Sequence, residues 1–259
     1  MRGPRKQCES GMYHVICRGA GRQLIFEDDL DRGRLLELLP EFARAASVEI
    51  MAWCFMGNHV HLLLCGHMER VSWFMKCVCS RYAQHFNARY GRSGHLFQER
   101  FKSEPVDGEP YLLGAVRYIH LNPEKAGIAS HDEYPWSSYG QYVGRSTARG
   151  VCSTGLVLEL AGGRVGFADF HRARPDEEPW MDVDASRSRT RAMPDEEALG
   201  IARGALDGRS PGELKSLGKR ERDRLLVLLL AKGLSVRQVE RLTGIGRGVV
   251  QQAKKAGGQ

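Results

Sequence analysis

Two histidines, and a tyrosine with an asparagine one helical turn beyond it, are the residues best placed to do chemistry. His59 and His61 lie two apart in the run Gly57-Asn58-His59-Val60-His61-Leu62-Leu63-Leu64. In a strand that spacing puts both imidazoles on one face and turns Val60 and Leu62 to the other. Imidazoles so placed can chelate one ion. The alternative is a chance pair on a polar sheet face, but a buried apolar strand needs a reason to carry two histidines. Tyr118 and Asn122 lie four apart on a helix predicted over 109–122, so they share a face. Leu112, Ala115, Val116 and Ile119 form that helix's core stripe. The phenol and the amide sit roughly 70–110° around from it, beside the buried seam. Taken alone, Tyr118 reads first as a packing aromatic and Asn122 as a helix C-cap.

The elements that must hold these residues follow from periodicity. Strands are predicted over 13–18, 48–56, 59–65 and 97–106, and helices over 31–46, 68–90 and 109–122. Gly57-Asn58 is a two-residue hairpin signal whose residues tolerate positive φ. The last helix is expected to end near Asn122, because Pro123 biases its predecessor away from helix. The order β-α-β-β-α-β-α predicts an α+β fold, with helices packed on a ferredoxin-like or RRM-like antiparallel sheet.

Composition narrows the class. Lys and Arg outnumber Asp and Glu by 38 to 31 over 259 residues, which favours a polyanionic partner. The seven cysteines include no CxxC pair, so a zinc knuckle is not expected, and their odd number suits a reducing cytoplasm. Met1 to Lys6 leads into no apolar signal segment. The longest aliphatic run, Leu225 to Leu230, is too short to span a bilayer, so no membrane partner is expected.

His59-Val60-His61 matches the His-hydrophobic-His motif of the HUH endonucleases, and Tyr118-Ile119-His120-Leu121-Asn122-Pro123 resembles the tyrosine motif of the REP-associated tyrosine transposases. The segments 13–19, 96–103 and 134–139 resemble further blocks of that family, and the likeness spans roughly 11–144. Several spaced motifs in order make it specific. The resemblance implies a single-tyrosine HUH nuclease and strand transferase acting on single-stranded or hairpin DNA, associated with the nucleoid. It implies Mg²⁺ or Mn²⁺ held by His59, His61 and the side-chain oxygen of Asn122, with Tyr118 as nucleophile. A phenol near pKa 10 is a poor nucleophile until it or its target is activated, which a bound cation does at phosphate. Insertion-sequence relatives work as homodimers, REP-associated relatives as monomers, and the sequence fits both.

Arg18, Arg100 and Lys102 fall in motif blocks and suit phosphate contacts, or equally a solvated surface. His120 is read as structural or DNA-facing and His14 as a packed histidine. Tyr111 is the alternative nucleophile, but it lacks the Asn partner and the following Pro.

The character changes after about 145. Two short helices are expected within 154–173, a Pro- and charge-rich linker over 174–194, and a second, all-helical domain over 195–259. There Ser235-Val236-Arg237-Gln238 is a capping box, and Gly244-Ile245-Gly246 joins the helix it starts to one over 247–255. With a preceding helix over 219–232 this resembles a resolvase-like helix-turn-helix. Residues 195–259 hold 13 Lys or Arg against 8 Asp or Glu, and Arg237, Arg241, Arg247, Lys254 and Lys255 are the expected DNA contacts. A bundle for protein contacts is the other reading. For the whole chain the runner-up is a DNA-binding regulator that keeps the fold without catalysis, and a third reading is a phosphohydrolase that uses water.

Overall fold

The structure is a computed structural model and describes residues 7–145, 150–173 and 193–257. Four strands form one antiparallel sheet: β1 (Met12–Arg18), β2 (Glu49–Met56), β3 (His59–Cys65) and β4 (Lys102–Pro105), in the order β2-β3-β1-β4. That order, with α1 (Asp29–Ala46) after β1 and α2 (Met68–Arg89) after β3, is the ferredoxin-like arrangement expected.

Strand alternation divides the chain between two cores. Val15, Cys17, Trp53, Phe55, Val60, Leu62 and Leu64 face α1 and α2, joining Leu35, Leu38, Leu39, Phe74, Val78 and Phe86. Ala52, Cys54, Met56 and Leu63 face the other way, onto α3 (Glu109–Lys125). Leu112, Ala115, Val116 and Ile119 of α3 are all buried there, as the helical stripe requires. His14, His59 and His61 share this second face, so α3 is the element that closes over them.

Local rules mislead in three places. α3 passes through Pro123 and ends at Lys125. The proline costs one helical bond, but it lies in the last turn and is buried. The carbonyls of Asn122 and Pro123 are taken up by Ala126 and Ile128, 3.0 and 2.9 Å away, so the extra turn is compensated locally. Asn122 is therefore not the C-cap; Ala126 is. The last strand is shorter than expected. Phe97 makes an isolated bridge to Gly19 and Gln98 donates to the Arg18 carbonyl at 2.9 Å, but the ladder then breaks until β4 begins at Lys102. The hairpin turn is two residues long, with Met56 opposite His59, yet neither Gly57 nor Asn58 takes a positive φ.

The segment Tyr134–Tyr139 covers the edge of β2. Phe55 donates to the Trp136 carbonyl and Ser138 to that of Trp53, both at 2.9 Å, while the Tyr134 hydroxyl donates to the Phe55 carbonyl at 2.7 Å. An edge so covered offers no template to another chain. Beyond it, α4 (Tyr139–Tyr142), α5 (Gly155–Leu160) and α6 (Gly163–Arg172) pack on α3. Phe167 is fully buried and stacks on Tyr142 at 4.5 Å between centroids. Residues 155–173 thus complete the second core, and a boundary near 145 would cut through it. Of the linker expected over 174–194, only Met193 and Pro194 lie within the described residues.

The C-terminal helices are α7 (Asp195–Ala205), α8 (Lys219–Ala231), α9 (Val236–Thr243) and α10 (Arg247–Gly257), with a 3-10 turn over Pro211–Ser216. Ser235 and Gln238 close a reciprocal capping box at α9, and Gly244 ends that helix in the left-handed region. Val239, Leu242, Ile245 and Val250 form the seam against Leu226 and Leu229 of α8. Leu24, from the loop after β1, is buried in this same core. All seven cysteines are free, and among the described residues no helix is long and apolar enough to cross a membrane.

Candidate active site

β3 presents His59 and His61 side by side, their rings meeting edge to face at 4.8 Å between centroids. Each has one ring nitrogen fixed by a neighbour. His59 Nδ1 lies 2.7 Å from Asn58 Oδ1, an acceptor, so Nδ1 carries a proton. His61 Nδ1 lies 2.9 Å from Nε2 of His14. Nε2 of His61 is buried and has no hydrogen-bond partner. Burial holds the His61 imidazole well below its ordinary pKa, and the charges of His59, His14, Arg18 and Lys125 push the same way. The ring is therefore neutral and its buried Nε2 is free to act as a donor. A neutral imidazole whose second nitrogen is held in a hydrogen bond is the form that ligates metal.

Tyr118 descends from α3 onto this pair. Its ring lies 6.0 Å from that of His61 and 5.7 Å from that of His14, both edge to face. Lys125 Nζ sits 4.2 Å from the centre of the Tyr118 ring. One turn beyond Tyr118, Asn122 donates from Nδ2 to the Tyr118 carbonyl at 2.8 Å, which leaves Oδ1 as the amide's remaining acceptor. Two adjacent imidazoles with a phenol on the facing helix are groups that suit a divalent cation beside a nucleophile. Among the described residues no cluster of three His, Cys, Asp or Glu forms.

Residues 7–122 match the family model described as "Transposase IS200 like", a span that runs from the approach to β1 through Asn122 and contains all four of these residues. Residues 7–122 are thus similar to IS200-like transposases. Two solved structures resemble the chain. A REP-associated tyrosine transposase bound to a REP hairpin is 18% identical, with a TM-score of 0.46, over 56% of this chain and 86% of that one. A putative transposase from Deinococcus radiodurans R1 is also 18% identical, with a TM-score of 0.33, over 50% of this chain and 99% of that one. No curated protein matches.

Around the histidine pair the other residues singled out in the sequence are unevenly placed. Arg18 ends β1 directly across from His59, and Lys102 is exposed on β4 across from Ile16, on the face that carries His14 and His61. Arg100 is exposed in the irregular segment before β4. Tyr111 is 63% exposed, whereas Tyr118 is 6% exposed and packed on the histidines. His120 faces away: it is buried between Ser138 Oγ at 2.7 Å and His171 Nε2 at 3.0 Å, so it is structural and does not face DNA. In the C-terminal helices Arg237, Lys254 and Lys255 are exposed, and Arg247 is exposed but pairs with Glu240 at 3.2 Å. Arg241 turns inward, its guanidinium on Asp195 and its carbonyl accepting from Leu24 at 3.1 Å.

Sequence reasoning missed one residue beside the histidine pair and read two others too narrowly. His14 is packed, but its work is to hold His61. The signal was available in β1, where His14 falls on the same face as His61 once the antiparallel register is known. Lys125 was hidden behind Pro123, where the helix was expected to have stopped. Asn58 was read as a turn residue, and it also holds His59.

Proposed function

We propose that the chain is a single-tyrosine DNA transesterase of the REP-associated kind, which nicks and rejoins single-stranded hairpin DNA. The observation that carries this is the pair of imidazoles with both Nδ1 atoms occupied, beside a buried tyrosine on the facing helix. His59, His61 and Asn122 Oδ1 would hold Mg²⁺ or Mn²⁺, which when bound polarises the scissile phosphate and offsets charge developing on it. Tyr118 attacks phosphorus through its hydroxyl oxygen. The P–O3′ bond breaks, the 3′-oxygen leaves and takes up a proton, and the 5′-phosphate stays on the tyrosine. The new phosphodiester keeps the energy of the old one, so a second 3′-hydroxyl can attack it and rejoin strands without a nucleotide cofactor. Lys125 places a positive charge against the phenol ring, and Arg18 and Lys102 line the approach with charge suited to phosphates. The exposed Arg237, Lys254 and Lys255 give α9 and α10 a basic surface for duplex DNA, in the manner of a helix-turn-helix.

The test is incubation with labelled hairpin oligonucleotides and Mn²⁺, read on a denaturing gel. Covalent adducts that vanish in EDTA and in a His59→Ala/His61→Ala variant are expected, with hairpin binding retained. Full cleavage in EDTA would contradict the metal-assisted reading. Cleavage without an adduct would favour water as the nucleophile, and binding without cleavage would favour the regulator.

A further inference from the structure

The C-terminal helices grip a loop that also holds the histidine hairpin in place. That loop, 19–28, is fastened to the hairpin from beneath. Gly19 donates to the Asn58 carbonyl and Ile25 to the Gly57 carbonyl, each at 2.9 Å. Asn58 Nδ2 reaches back to the Arg22 carbonyl at 3.3 Å. The turn is tight: a methyl on Gly19 would lie 2.2 Å from the Gln23 carbonyl, and one on Gly57 would lie 3.2 Å from Leu24 Cδ2. Asn58 thus uses its nitrogen on the loop and its oxygen on His59, so the position of the loop fixes the orientation of the imidazole.

The same few residues are held from above. The Leu24 amide donates to the Arg241 carbonyl at 3.1 Å, and its side chain is buried among Ala198, Leu242 and Ile245. Gln23 binds Arg92, and the two close against Gly244, where an added Cβ would meet both within 2.6 Å. Glu27, 6% exposed, accepts from Ser210 Oγ at 2.6 Å and pairs with Arg203 at 3.2 Å. Burial raises the Glu27 pKa, and Ser210 and Arg203, both from the other unit, offset part of that cost.

We infer that the C-terminal helical unit is a positioning element of the active site, acting through Leu24, the 19–28 loop and Asn58 on His59. The inference rests on the metal-ligand reading of His59. It makes the C-terminal unit part of the support of the ligand pair, beyond any affinity for DNA that the unit adds. Partners that orient a ligating imidazole typically change metal affinity by about 10–100-fold when removed.

The test uses the full chain and Mn²⁺ alone, with binding read by isothermal titration and by the Mn²⁺ electron-spin signal. Asn58→Ala should weaken Mn²⁺ about 10–100-fold. Leu24→Asp puts a carboxylate in the apolar seam, and Arg203→Ala with Ser210→Ala releases Glu27 without substituting any loop residue. Both should speed hydrogen exchange at the Leu24 amide and weaken Mn²⁺ by a smaller factor. In an Asn58→Ala background neither should weaken Mn²⁺ by its full single-variant factor, because the side-chain link from the loop to His59 is already cut. Unchanged Mn²⁺ affinity in variants whose Leu24 amide exchanges faster would overturn the inference, and so would additive losses. Unaltered exchange in both would show that these contacts do not hold the units together, which overturns it as well. Absence of Mn²⁺ binding by the wild-type chain would instead count against the proposed function.

Discussion

Replacing Phe167 by alanine asks whether α5 and α6 are core or connector. The ring is fully buried, stacks on Tyr142 with an interplanar angle of 8°, and lies 4.2 Å from the His171 ring. It fills the space between α6 and the helix that carries Tyr118. Removing a ring so enclosed leaves a cavity the neighbours close only in part, at a cost of about 3–5 kcal/mol. With a urea dependence of roughly 2 kcal/mol per molar, the unfolding midpoint should fall by about 1.5–2.5 M. Val165 lies two residues away on the same helix and is 76% exposed, so Val165→Ala should stay within roughly 0.5 kcal/mol of wild type. Far-UV circular dichroism during urea titration of the three chains supplies the numbers. A Phe167→Ala midpoint within about 0.3 M of wild type would refute the reasoning, since it would mean that α6 contributes nothing to the stability of the domain.

Burial holds His171 at about 3, below its unfolded value near 6.5. Its contribution is therefore complete above about pH 6.5 and declines as pH falls towards 3, the loss amounting to about 2 kcal/mol by pH 5. His171→Gln should narrow the gap between stabilities measured at pH 7 and pH 5, and an unaltered gap would place the acid sensitivity elsewhere. His14→Phe leaves His61 Nδ1 without its partner and should weaken Mn²⁺ about 10–100-fold in a calorimetric titration; wild-type affinity would show that His14 is packing alone. Lys254→Ala with Lys255→Ala should flatten the salt dependence of duplex binding by about 0.9 in log–log slope for each phosphate the lysines neutralise, and equal slopes would mean that α10 does not touch DNA.

Features set by neighbours in sequence were readable in advance. The alternation around His59 and His61, the two-residue turn and the stripe on α3 depend on periods of two and 3.6, which the chain displays directly. The capping box at Ser235 is local in the same way. The Tyr118–Asn122 pairing was visible as a spacing, and its meaning came from family resemblance. What the sequence concealed depends on residues distant in the chain. His14 is distinguished from an ordinary core histidine only by the register that brings it to His61, 47 positions away. Leu24 looks like any loop leucine until Arg241 and Leu242 close over it. Pro123 shows the complementary failure, in which a sound local rule stopped the helix too early and hid Lys125. The helices over 155–172 were foreseen, but their burial against α3 was not, because short apolar segments do not reveal which surface they cover.

Whether Tyr118 forms the bond to DNA is tested most directly by peptide mapping of the covalent product. The wild-type chain is trapped on a labelled hairpin in Mn²⁺, digested, and the nucleotide-bearing peptide sequenced by mass spectrometry, beside Tyr118→Phe. The expected result is a phosphotyrosyl link at Tyr118 to a 5′-phosphate and no adduct in the Phe variant, which loses one hydroxyl and keeps the fold. An adduct on Tyr111, or adducts persisting in Tyr118→Phe, would contradict it.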